Sequence, residues 1–175
     1  AVSVNGGTEK FKSSLNLGKK KKKGIEYAQD YTRYNAGTSV DFKPTKFLNF
    51  GTTLNYIYSV TNSSTSSYAN ASGMIPLVSP FDTAGNWVLF PNRDQQIISA
   101  INDRTTVFDQ TTANRFFGNM FAELTLMKGL KFKTMYGLDK RNSVRGTFNG
   151  ALSSIRLNSP ASASQTLNES TSWVW

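Results

Sequence analysis

Carboxylates come near one another twice in the polar middle of this chain, Asp82 with Asp94 and Asp103 with Asp109. Glycoside hydrolysis needs two carboxyls facing one cleft, an acid for the leaving oxygen and a second group to assist attack. Nothing in these loop spacings brings a pair to a common cleft, and no enzymatic activity is expected. The chain has no Cys and no His. This removes disulfides, thiolate and imidazole metal sites, and Cys–His or Ser–His–Asp catalysis. No metal or cofactor is predicted, and the chemistry left is recognition. Tyr68, Trp87 and Phe90 could stack on sugar rings or dock a partner, or they could pack on one another. Arg33, Asn35, Asp41, Asn49, Asn55, Arg115, Asn119 and Glu123 could line a transport path, or they could simply hydrate a polar wall.

Alternating segments place these residues. In 47–61, Leu48, Phe50, Thr52, Leu54, Tyr56, Tyr58 and Val60 share one parity, against Phe47, Asn49, Gly51, Thr53, Asn55, Ile57 and Ser59. In 31–42, Tyr34, Ala36, Thr38, Val40 and Phe42 oppose Arg33, Asn35, Gly37, Ser39 and Asp41. Successive side chains of a strand point to opposite faces, so each segment reads as a strand with one apolar and one polar face. Lys43-Pro44-Thr45-Lys46 joins them into an antiparallel hairpin between a greasy medium and a wet one. Further strands are predicted at 1–4, 10–17, 111–126, 130–139 and 165–175, with Glu169 interrupting the last apolar face. Asn5-Gly6-Gly7-Thr8 suits a tight reversal. Residues 18–30 and 141–164 read as connections, and 62–110 as one long loop. Within that loop, 93–101 carries Ile97, Ile98 and Ile101 and could form one or two helical turns.

Short and long connections alternate along the chain. Long structureless connections are uncommon in compact soluble domains. Outer-membrane barrels have short periplasmic turns and long external loops. About 10 residues at ~3.3 Å each, tilted by roughly 40°, cover about 25 Å, the height of such a barrel's apolar band. The predicted fold class is therefore all-β, an antiparallel up-and-down transmembrane β-barrel. Tyr34, Tyr56, Tyr58, Trp173 and Trp175 read as its interfacial belt. Six or seven strands would leave unpaired edges that hydrocarbon does not tolerate, so residues 1–175 are read as a portion of a larger wall.

Bulk properties agree with that reading. Hydrophobic residues are 38% of the chain and spread thinly, with 13% aromatic. The longest apolar run, Trp87-Val88-Leu89-Phe90, falls far short of the roughly 20 residues of a spanning helix. Ala1-Val2-Ser3-Val4 begins in strand-like residues without a signal peptide, as expected of a mature product or a piece of one. The net charge of +9 invites a nucleic-acid partner, but Lys19, Lys20, Lys21, Lys22 and Lys23 supply five of those charges, leaving +4. Scattered Lys and Arg make a weak electrostatic footprint, and no nucleic acid is expected.

Several segments carry a family likeness. Val2-Ser3-Val4-Asn5-Gly6-Gly7-Thr8-Glu9, Ser14-Leu15-Asn16-Leu17-Gly18, Gly24-Ile25 and Tyr31-Thr32-Arg33-Tyr34-Asn35 come first. Arg104-Thr105-Thr106, Asn114-Arg115-Phe116-Phe117-Gly118-Asn119 and Lys128-Gly129-Leu130-Lys131-Phe132-Lys133 follow. In order and spacing they resemble the barrel of SusC/RagA-type TonB-dependent transporters. The likeness covers most of the chain and is weakest over 62–103. It implies a barrel of about 22 strands around an amino-terminal plug, in the outer membrane of a Gram-negative bacterium. It also implies import of oligosaccharides or peptides, energy from the TonB complex, and a SusD-type lipoprotein closing over the mouth. The plug, the TonB-contacting segment and most of the strands have no counterpart in these residues, as expected of part of the barrel wall.

The lysine run departs from the family, where mixed residues occupy that position. Three readings stay open: a basic loop on lipopolysaccharide phosphates, a plain solvated loop, or provisionally assigned residues. The rival reading of the whole chain is a soluble all-β carbohydrate-binding or adhesin module, its aromatic faces packed together as a sandwich core.

Overall fold

The computed structural model describes residues 1–26, 28–63, 68–95, 98–99, 101–157 and 159–175. Seven strands follow in chain order: β1 (Val2–Gly7), β2 (Phe11–Lys23), β3 (Asp30–Phe42), β4 (Leu48–Asn62), β5 (Val107–Met127), β6 (Leu130–Asn149) and β7 (Ser162–Val174). They form a single antiparallel sheet in that same order, each strand paired with its sequence neighbours. The fold is all-β and up-and-down, and the sheet does not close. Two short helices, α1 (Tyr68–Gly73) and α2 (Asp103–Thr106), lie between β4 and β5.

Register carries the alternation across the whole sheet. Phe11 pairs with Phe42 and Leu15 with Thr38. Phe42 then pairs with Phe50, Thr38 with Leu54 and Tyr34 with Tyr58. The rows continue through Leu54–Gly118 and Leu48–Leu124, then Gly118–Leu138 and Leu124–Phe132, and reach Trp173 opposite Leu138. A slip of one residue would turn a strand's apolar set to the polar side, so the hydropathy pattern itself selects this register. The hairpin ends are chemically suited to their turns. Gly129 takes φ 89°, a conformation in which a Cβ is strained. Thr8 donates its N–H to the Phe11 carbonyl, and its hydroxyl accepts the Phe11 N–H.

The sheet has no second layer among the described residues. Ile98 is the one buried hydrophobic side chain among them, and Phe11, Phe42, Phe50, Leu15, Leu17, Met120 and Trp173 are all exposed. The chain exposes 12342 Å², against about 8,500 Å² for a compact monomer of its mass. That excess is an apolar face with nothing packed on it. A soluble sandwich core of the rival kind is not present among the described residues.

Several boundaries differ from the sequence reading, β5 beginning at Val107 and β7 at Ser162 among them. The lysine run is not a connection: β2 continues through it to Lys23, which pairs with Asp30. A homopolymer has no alternation, so its period is invisible although its backbone pairs normally. Likewise β6 runs on past Asp139 to Asn149. Over 140–143 both parities are polar (Lys140, Arg141, Asn142, Ser143), and the hydropathy signal fades before Val144 and Phe148 while the ladder persists. The first reversal falls at Thr8–Lys10, since Gly6 and Gly7 still pair with Ser13 and Lys12. The helical turns expected over 93–101 are absent at 93–95 and 98–99, with residues 96, 97 and 100 outside the described ones.

Candidate functional site

Each predicted polar-face residue sits on a strand whose register fixes its side. Arg33 is level with Ser59, and Asn35 with Ile57. Ile57 in turn faces Arg115, Asn55 faces Phe117, Thr53 faces Asn119 and Asn49 faces Glu123. Arg33, Asn35, Asp41, Asn49, Asn55, Arg115, Asn119 and Glu123 therefore share one face, opposite the aromatic rows. Several side chains lie flat across glycines of the neighbouring strand. A Cβ on Gly18 would come within 2.6 Å of Asn35, one on Gly37 within 2.8 Å of Asn55, and one on Gly51 within 2.1 Å of the Phe121 ring. The glycines keep this wall low and smooth.

Charges on that face are organised. Arg115 donates through Nε and Nη2 to both oxygens of Asp139, at 3.0 and 2.6 Å. Arg141 approaches the same carboxylate at 3.3 and 3.0 Å. Arg145 holds Asp109 in a second fork at 3.0 and 2.7 Å. Planar forks of this kind fix orientation as well as charge. Arg115 also lies 4.4 Å from the Phe117 ring centre, and Lys133 lies 4.7 Å from that of Phe121. Glu123 accepts from Lys131 at 2.9 Å. Arg33 makes no ion pair among the described residues, and its Nε is shielded from solvent without a hydrogen-bond partner.

Sequence reasoning missed Arg141 and Arg145 as part of this constellation, because 141–164 read as a connection, whereas Asp139 fell within the predicted strand 130–139 without being singled out. The signal that could have found them is Arg141, Ser143 and Arg145 continuing the parity of Asp139.

The loop aromatics separate. Trp87 stacks against Phe81 at 4.3 Å between ring centres, and both stay about 40% exposed (42% and 41%). Phe90 is half-buried, and Tyr68 begins α1. The reversal between Phe81 and Trp87 is held by Asp82, whose Oδ1 accepts the N–H groups of Ala84 at 2.9 Å and Asn86 at 2.8 Å. The Asn86 bonds, backbone first, hold the Asp82 carboxyl below its ordinary range. The carboxylate pairs considered for catalysis do other work. Asp103 is 1% exposed and accepts from the Ser154 amide and hydroxyl, while Asp109 pairs with Arg145.

On the opposite face, the row Leu48–Leu124–Phe132 lies ten residues along β4 from the row Tyr34–Tyr58–Asn114. That is about 33 Å along the strand, or about 25 Å of height at a tilt of roughly 40°. Asn114, Asn142 and Glu169 continue the upper row as polar residues, and Lys19 places its ammonium 5.2 Å from the Tyr34 ring centre. No protein-family model matches this chain, and no curated protein matches it in sequence.

Proposed function

We propose that this chain is part of the wall of an outer-membrane, TonB-dependent importer of oligosaccharides or peptides, similar to the SusC/RagA type. The observation that carries the reading is the unpacked apolar face, about 25 Å tall and rimmed by rings, backed by a polar face of arginines and amides. In this account the rings meet acyl chains, the polar face lines a water-filled lumen, and the remaining strands of a barrel of about 22 complete both edges. Lys19, Lys21 and Lys23, which share the lipid-facing parity above Tyr34, meet lipopolysaccharide phosphates as point charges. A SusD-type lipoprotein closes over the long β4–β5 connection, and the TonB complex acts through other parts of the protein.

The soluble carbohydrate-binding reading draws on the exposed Phe81–Trp87 pair, which would stack on a sugar face. Fractionation separates the two. The importer reading expects the protein in outer membranes, co-purifying with a lipoprotein, and expects its deletion to slow TonB-dependent uptake of oligosaccharides or peptides. Recovery in the aqueous fraction without detergent, or uptake indifferent to the deletion, overturns it.

A further inference from the structure

We propose that the polar face carries a carboxylate-binding site between Arg33 and the Arg115–Arg141 pair, at the loop-side end of the wall. The inference rests on the lumen reading of that face and names the chemical class of the molecule carried. Arg33, Ser59, Ala113 and Ser143 form one cross-strand row, and Ile57, Arg115 and Arg141 the next. These residues line a groove of about 470 Å³. Ser59, Ala113 and Ser143 are short, so the floor between the arginines is low. Arg33 and Arg115 stand two strands apart, about 10 Å between strand axes, so both guanidiniums reach one small group held over Ser59.

The charge balance selects an anion. Arg115 and Arg141 share the carboxylate of Asp139 and Arg33 makes no ion pair among the described residues, so that even with Glu169, which also lines the groove, one positive charge is in excess. Arg115 and Arg141 each turn Nε and Nη2 to Asp139, and the other terminal nitrogen of each makes no hydrogen bond among the described residues. Arg33 adds a third guanidinium, its Nε shielded from solvent and unpartnered among the described residues. A flat, bidentate acceptor fits these forks, and a carboxylate has that geometry. Two kinds of imported molecule offer one: an acidic sugar, or the C terminus of a peptide. The row of Arg33 lies beside the upper aromatic row of Tyr34 and Tyr58, so the site stands at the mouth, where positive potential gathers anions from solution.

The test uses the complete protein in detergent and calorimetric titration with two matched pairs of probes. One pair is trigalacturonic acid against maltotriose, and the other is a tripeptide with a free C terminus against its amide. The acidic member of at least one pair is expected to bind about tenfold more tightly than its neutral partner, and the pair that discriminates identifies the source of the carboxylate. The preference is expected to vanish in Arg33→Gln, to survive in Lys12→Gln at the hairpin end, and to weaken as ionic strength rises. Circular dichroism of Arg33→Gln checks that the sheet is intact, and Arg115→Gln gives a second reading of the same groove. Equal binding of acid and neutral probes, or a preference that persists in both arginine variants, overturns the site. Flotation of the same preparation with liposomes reports on the importer reading separately. A protein that floats but shows no acid preference refutes the site alone. A protein that stays soluble yet prefers acids refutes the importer alone.

Discussion

Asp82 shows how one side chain shapes a recognition tip. Its carboxylate gathers the Ala84 and Asn86 amides and thereby sets Phe81 against Trp87. Because its folded-state pKa lies below the ordinary value of 3.8, its contribution is complete above that value and is lost as pH falls through the lower, folded-state one. Amide NMR signals of Ala84 and Asn86 are expected to hold steady down to about pH 4 and to move only in stronger acid. Movement at neutral pH would contradict the assignment. Asp103 does comparable work at the base of the loops, where it ties Ser154 to α2. Asp103→Ala leaves the half-buried Ser154 amide without its acceptor, at a cost of about 1 kcal/mol. Faster hydrogen exchange at Ser154 and Gly150 is the expected readout, and unchanged exchange would show the tie to be dispensable. The role of Asp103 was not legible in the sequence, since its partner lies far along the chain within a polar connection.

At the scale of the strand, the alternation in β3, β4 and β5 was plain because each carries one apolar and one polar face, and hydropathy then takes a period of two. Where both parities are polar, as over 140–143 of β6, or where the sequence is uniform, as at the lysines of β2, the same backbone ladder leaves no trace in residue type. The polar-face residues Arg33, Asn35, Asn55, Arg115, Asn119 and Glu123 were legible for the same reason that the strands were. Their ion-pair partners Lys131 and Asp139 fell within the predicted strand 130–139 without being singled out, and Arg141, which shares Asp139, lay beyond it. Two substitutions test the strand-level account. Leu54 lies in the middle row of the apolar face, and Leu54→Arg is expected to destabilise the bilayer-inserted protein by about 2–4 kcal/mol. Thr53→Arg, one residue along and on the polar face, should leave it nearly unchanged. Equal effects in denaturant titrations from vesicles would remove the distinction between the faces. Gly118 sits where β4 and β5 come closest, and a Cβ there would fall 2.3 Å from the Thr53 carbonyl oxygen. Gly118→Ala should therefore cost about 1–3 kcal/mol by forcing the two strands apart.

The molecule is an open sheet whose rings and aliphatics touch no second layer among the described residues. An aqueous environment would leave that face a large standing penalty, and a hydrocarbon one removes it. The account turns on which medium each face meets, and the chain's lack of cysteine makes this directly measurable. Single cysteines placed at successive positions from Thr52 to Tyr58 can carry nitroxide labels in liposome-inserted protein, with collision rates read for oxygen and for a water-soluble nickel chelate. The account predicts strict alternation: labels at 52, 54, 56 and 58 collide with oxygen, and those at 53, 55 and 57 with the chelate. Labels at 52, 54, 56 and 58 that are shielded from both reagents would place the aromatic face inside a protein core and contradict it.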